Sequence, residues 1–403
     1  MRDVVITGIG TLGVSGAGLA EFEQGLVSGK LPLTELDRSL GFHRNAAPAH
    51  ALVVSADALA QWIQPIEARR LCRPSKFAVC ATRMALADAG LTGADRSDSA
   101  WEGTAVVLGY CWGSTAFSQR LLRQVEDPEV DAVSPVIFME TIANSPAAKM
   151  AMAHGLKGPN LTLTQRETSD VAAIARGASL IASGRVERVV AGVTGEVSEA
   201  LHAVLGGFGA LTSRDRGRPL DARRDGVIAA EGATIFVLES AQLCEARGAR
   251  VRARLRGWGR ANDPTATGTD WGDGAESLAL GLKKALARFA IDRGSVRRIV
   301  SGASGSLRGD ALDARVLRAV FGDELPVVLT PKAITGEYGG GYLASLLWAL
   351  EATEAPNHMA TEEPDPELAI CAAGGGELGA RGRVLASSLA SGGGANWLVL
   401  DRP

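Results

Sequence analysis

The 403-residue sequence predicts an α/β protein with largely buried sheets, assembled from two similar halves. Short β-branched runs alternate with segments that carry apolar residues at three- and four-residue spacing. The same succession appears before and after residues 240–255, and no Pro/Gly linker, charge block or low-complexity tract separates independent modules. The expected division is 1–245 and 246–403 within one pseudo-symmetric body.

Residues 4–7 form a β-branched run closed by Gly8 and Gly10, which predicts a buried strand ending in a tight turn. Residues 76–89 carry helical apolar spacing, with Gly90 placed to stop the helix. A strand over 105–108, a helix over 169–183 and a strand over 189–193 follow, and another strand is expected around 235–238. Past the junction the pattern predicts a helix over 276–289, a strand around 298–300, and helices over 310–320 and 342–352.

Composition excludes several functions. Lysine and arginine number 42 against 45 acids, a net charge of −3 that gives no reason to expect nucleic acid or an anionic membrane as partner. The five cysteines (Cys72, Cys80, Cys111, Cys244, Cys371) form no CxxC pair and have no histidine at metal-ligand spacing, so neither metal nor cofactor is expected. They read as small buried hydrophobes in a reducing compartment. The start, MRDVVITGIG, lacks the apolar core of a signal peptide, and no stretch reaches the roughly 18 apolar residues of a membrane span, which predicts a cytoplasmic protein. The glycine-containing runs GSTAFS and GEYGGGY lack both the Walker lysine and a full GxGxxG, so nucleotide binding is not expected.

Motifs spread along the whole chain carry a family resemblance. The opening VVITGIGTLGVSG, the stretch SPVIFMETIANSPAAKMAMAHGLKGPN before residue 161, and GRPLDARRDGVIAAEGATIFVLE over 217–239 are similar to the β-ketoacyl-acyl carrier protein synthases of the thiolase superfamily. Residues 304–310 stand in the place of that family's HGTxTxxxD, KAITGE over 332–337 in that of KSxxGH, and SGGGAN over 391–396 in that of GFGGxN. The resemblance implies a duplicated, five-layered αβαβα thiolase-like fold and a two-fold dimer.

Condensing enzymes of this kind need a thiolate to hold the acyl chain and two histidines to aid decarboxylation and stabilise the enolate oxyanion. GPNLTLTQRETSDVAAI aligns without a gap to the family's nucleophile segment and sets Glu167 at the cysteine position. Gly302 stands at the first histidine position and Glu337 at the second; Leu346 replaces the supporting glutamate and Gly392 the gating phenylalanine. Lys332 and Asp310 are retained, and none of His43, His50, His154, His202 and His358 falls on a catalytic position. Glu167 is expected to cap the following helix or to bond Arg166. No catalytic residue is therefore assigned, and Glu167, Gly302 and Glu337 are read as vestigial positions.

The chain resembles the chain length factors of type II polyketide synthases, which implies an inactive partner of a Cys-His-His ketosynthase. Such a pair works on a chain held by acyl carrier protein. Thr115, Ser118 and Leu122, spaced three and four apart, resemble the residues of the tunnel helix that set chain length. A carboxylate enzyme using Glu167 and Glu337 for malonyl decarboxylation or cyclisation is the alternative, and a homodimeric scaffold a third possibility.

Overall fold

The computed structural model describes residues 1–43, 49–92, 100–127 and 133–403. The first half contributes strands β1 (Val4–Gly13), β2 (Ala105–Tyr110), β3 (Asn160–Leu163), β4 (Arg188–Gly195) and β5 (Gly232–Ser240). The second contributes β6 (Ala253–Asn262), β7 (Val296–Ser301), β8 (Val327–Leu329), β9 (Arg383–Leu389) and β10 (Gly394–Asp401). The order across the ladder is β8-β7-β9-β10-β6-β1-β5-β4-β2-β3. From the junction outward, each half therefore runs first, fifth, fourth, second and third strand.

The directions repeat too. In each half the fifth strand is antiparallel to both neighbours while the outer pairs are parallel. Antiparallel pairing of Val4–Ile6 with Ala253–Leu255 joins the halves.

The principal helices are α1 (Arg73–Asp88), α2 (Thr115–Glu126), α3 (Pro135–Thr141), α4 (Ser145–His154), α5 (Ser169–Ala182), α6 (Glu199–Gly207), α7 (Ala275–Arg288), α8 (Leu307–Phe321) and α9 (Gly341–Glu351). The period-two alternation of the strands sorts these helices into layers. Val106, Leu108 and Val190 face α1 and α4, whereas Ala105, Val107 and Val189 face the central helices α5 and α9. Across the centre Val300, Val384 and Ala386 face the same pair, and Ile299, Leu385 and Val399 face α7 and α8. Five layers, αβαβα, result, as the family resemblance implies. Among the described residues no helix is long and apolar enough to cross a membrane.

The expected elements are present, with longer strands. One local reading is corrected: the first strand does not turn at Gly8 and Gly10 but runs on to Gly13. A Cβ at Gly8 would lie 2.2 Å from the Ala85 carbonyl oxygen, and one at Gly10 2.0 Å from that of Ala81. The glycines let helix α1 lie directly on the strand. The cysteine reading also changes in part, because Cys371 is exposed and Cys111 only partly buried.

Candidate functional site

The N-termini of the two central helices point to one place between the halves. Glu167 lies in the short 3-10 turn Arg166–Thr168 that leads into α5, and Glu337 lies a few residues before α9. A helix N-terminus carries a partial positive charge, so carboxylates are electrostatically suited to both places.

Glu167 reaches across to the other half rather than to Arg166, one of the two partners the sequence offered. Its carboxylate accepts from the Ser391 backbone N–H at 3.1 Å and from the Ser391 hydroxyl at 3.1 and 3.2 Å, and the Tyr338 hydroxyl donates to it at 3.3 Å. The turn geometry explains the difference. Arg166 adopts φ 53°, a left-handed conformation that costs an L-residue about 1–2 kcal/mol, and the following side chain is carried across to the opposite half. The Arg166 guanidinium bonds the Ser391 hydroxyl at 3.0 Å and the Gly268 carbonyl. Asn396 completes the junction by donating to Gln165 at 3.0 Å and to Thr168 at 3.2 Å.

Lys332 donates to both oxygens of Glu337, at 2.6 and 2.8 Å, as a buried ion pair. Burial pulls the lysine toward its neutral form, but Glu337, Asp170 and Glu167 together outweigh that and hold it above its usual pKa. Burial, reinforced by Glu337, raises the Glu167 carboxyl above the usual range. Asp170, fully enclosed one turn along, is raised to about 6 by burial despite the nearby Lys332. Three carboxyls thus share one lysine, an arrangement that favours protonation of the least compensated among them.

Cys111, Tyr338 and Tyr342 complete the lining of this cavity, whose volume is about 20 Å³. That is room for about one water molecule and none for an acyl chain. Burial together with Glu167 and Glu337 pushes the Cys111 thiol well above its usual pKa, so it is held as an unreactive thiol.

Gly302 has no space for a side chain. A Cβ there would lie 2.7 Å from the Ser387 carbonyl oxygen and 3.1 Å from the Ser388 Cα, so the backbone has closed over the position. Asp310 is tied into loop structure, accepting from the backbone N–H groups of Leu220 at 2.9 Å and Ser304 at 3.0 Å. Leu346 is buried among the central apolar residues. Gly392 sits at φ 84°.

Sequence reasoning missed Cys111, Asp170, Tyr338 and Ser391. Tyr338 and Asp170 stand one and three residues from positions already singled out, and Ser391 opens the SGGGAN motif. Cys111 carried no local signal. It reaches the cavity because β2 ends beside α5.

Thr115, Ser118 and Leu122 lie on α2, at the surface. Thr115 turns its hydroxyl inward, donating to Glu196 at 3.0 Å and pairing with Ser198 at 2.8 Å, while Ser118 is partly buried. Leu122 is 59% exposed, and Val125, Phe138, Met139, Ile142, Val204 and Phe208 on α2, α3, α6 and their ends are exposed as well. α2 packs against both α3 and α6, so these side chains belong to one neighbourhood. Near it, the buried polar atoms Trp112 Nε1, Gln119 Nε2 and Glu196 Oε2 have no hydrogen-bond partner among the described residues.

The layered duplication and a site between two central helix N-termini define a thiolase-like condensing-enzyme body. Residues 1–243 match the β-ketoacyl synthase N-terminal domain, and the chain belongs to the β-ketoacyl synthase family. It is 30% identical over 387 residues to the granaticin polyketide putative β-ketoacyl synthase 1 of Streptomyces violaceoruber, covering 91% of this chain and 90% of that one. The solved ishigamide ketosynthase/chain length factor superposes with a TM-score of 0.88 at 28% identity, covering 100% of this chain and 99% of that one. A β-ketoacyl synthase from Burkholderia phymatum STM815 gives 0.86 at 25% identity over 100% of both chains.

Proposed function

We propose that this chain is the non-condensing member of a type II polyketide synthase pair, a chain length factor whose partner is a ketosynthase carrying the intact Cys-His-His set. The observation that carries this reading is the state of the cavity: Glu167 is committed to Ser391 and Tyr338, Glu337 to Lys332, and about 20 Å³ remain. A chain cannot grow there. It grows from the partner's thiolate, held by acyl carrier protein between extensions, and this subunit closes and shapes the tunnel from its apolar α2 face.

On this reading Thr115, Ser118 and Leu122 set the depth of that tunnel, and the exposed neighbours around Leu122 are covered by the partner. The unpartnered polar atoms near α2 favour the same face, since a buried polar group without a bond costs about 1–3 kcal/mol until water or a partner supplies one. The body divides into halves 1–245 and 246–403, a division that the repeated strand order supports.

Co-expression with a cysteine-bearing homologue, followed by size exclusion and a malonyl-extension assay, tests the proposal. The expected result is a stable pair that extends chains, with Leu122→Trp shortening the products. Turnover of a carrier-bound substrate by this chain alone, abolished by Glu167→Gln, would instead establish the carboxylate enzyme, for which the raised Glu167 carboxyl is the favourable observation.

A further inference from the structure

We propose that a groove at the seam of the two halves binds a soluble diphosphate. The groove holds about 370 Å³, inside the roughly 300–1,000 Å³ of small-molecule sites, and Arg254, Arg256, Arg288 and Arg383 line it with Asp3 and Phe289. Four guanidiniums thus gather against one carboxylate in a chain whose net charge is −3. The place is separate from the carboxyl cavity. Strand β6 passes this groove at Arg254 and ends at Asn262, in the open groove beside Arg166 and Ser391, eight residues and about 26 Å away.

The sequence of β6 builds the arginine wall. Leu255 pairs with Leu400 and Gly257 with Val399, so Arg256 is the extra residue of a bulge and no residue of β10 faces it. Before the bulge Leu255 enters the central core; past it Gly257 turns to the outer layer, where a Cβ would lie 2.8 Å from Ile291 and 3.1 Å from Phe289. Bare backbone at that point lets the turn after α7 close down as the opposite wall. Phe289 is engaged there by Trp258, with ring centroids 4.7 Å apart, and by the Arg288 guanidinium over its ring at 5.4 Å. Charge rather than ring stacking is what the groove offers a ligand.

Two of the arginines are committed and two are not. Arg383 donates to Asp401 at 2.7 and 2.9 Å and to Ser295 at 2.6 Å, and Arg256 pairs with the same Asp401 at 3.1 Å. One carboxylate thereby holds two guanidiniums side by side. Arg254 and Arg288 have neither a hydrogen bond nor an ion pair among the described residues. A guanidinium is a planar fork that takes an oxyanion through two N–H groups, so two uncommitted forks in one cleft suit a ligand with two linked anionic groups. A phosphate has several oxygens to share among arginines, whereas a planar carboxylate fits one fork, and a diphosphate therefore matches this lining better than a dicarboxylate. Asp3 and Val4 come from the first half and the arginines from the second, so the bound anion fastens the seam where β1 meets β6. Helices α2, α3 and α6 do not line the groove, and the inference is independent of the chain-length reading.

Titration calorimetry on the untagged full-length chain at fixed ionic strength tests it, with pyrophosphate, ADP, orthophosphate, malonate and phosphatidic acid vesicles as probes. The expected result is saturable binding of one pyrophosphate per chain, about tenfold or more tighter than orthophosphate or malonate, with a raised melting temperature. Arg254→Ala and Arg288→Ala should each weaken it about tenfold or more, the factor for one charge-assisted contact, yet melt like wild type without ligand because neither arginine is paired. Arg260→Ala, near the far end of β6, should bind as wild type does. ADP binding alongside pyrophosphate assigns the diphosphate to a nucleotide, and pyrophosphate binding alone assigns it to the inorganic ion; either supports the site. Equal weakening by Arg260→Ala, orthophosphate or malonate binding as tightly, a response to the vesicles alone, or no saturable binding at millimolar pyrophosphate overturns the inference.

Discussion

Lys332 is the residue on which the buried carboxyl cluster balances. It sits among Glu167, Asp170 and Glu337, and Lys332→Met leaves those carboxyls without a buried cation. The expected cost is about 3–5 kcal/mol at pH 8, measured by urea unfolding, shrinking as pH falls and the carboxyls take up protons. The companion change Lys332→Met/Glu337→Leu should recover much of it. Asp170 gives a cleaner pH signature. Its folded pKa, about 6, lies above the ordinary aspartate value of 3.8, so the folded state binds the proton more tightly. The stability tied to this proton is complete below the unfolded pKa and lost as pH rises through about 6. Melting temperatures of wild type and Asp170→Asn should therefore diverge as pH rises from about 3.5 to about 6.5, in favour of the asparagine, by a stability difference of order 3 kcal/mol. If the proposed non-condensing reading holds, installing a ketosynthase's side chains should not confer condensation: Gly302→His drives its Cβ to within 2.7 Å of the Ser387 oxygen. The triple variant Glu167→Cys/Gly302→His/Glu337→His is expected to release no condensation product in a malonyl-extension assay.

At the scale of elements, two contacts bear most on function. The β1–α1 contact depends on bare backbone at Gly8 and Gly10, and Gly10→Ala forces a methyl to within 2.0 Å of the Ala81 oxygen. About 1–3 kcal/mol should be lost, more if the helix cannot shift, read from denaturant midpoints. Helix α2 presents the opposite case, a surface with little to bury in its own chain. Leu122→Glu removes apolar area that the proposed partner would cover, worth about 1.5–3 kcal/mol of association, so the amount of ketosynthase co-purified should fall about tenfold or more. The melting temperature of the chain alone should hardly move, because Leu122 is exposed there.

At the scale of the whole molecule, the duplicated strand order explains why the site lies where it does. Each half sends its central helix toward the junction, and the two N-termini meet around Glu167 and Glu337. The sequence by itself determined the layered α/β class and the helices and strands, because apolar periodicity and motif spacing are local properties of the chain. It misread Gly8 and Gly10 as a turn, since close approach by a helix from residues 73–88 leaves no local trace. Only the tertiary structure decided that Glu167 bonds Ser391 rather than Arg166, that Cys111 and Asp170 enter the same cavity, and that Arg166 bridges two loops of the other half. Those contacts join residues up to 225 positions apart, and which side chains meet is set by how the two halves dock across the central helices rather than by the segments in which they lie.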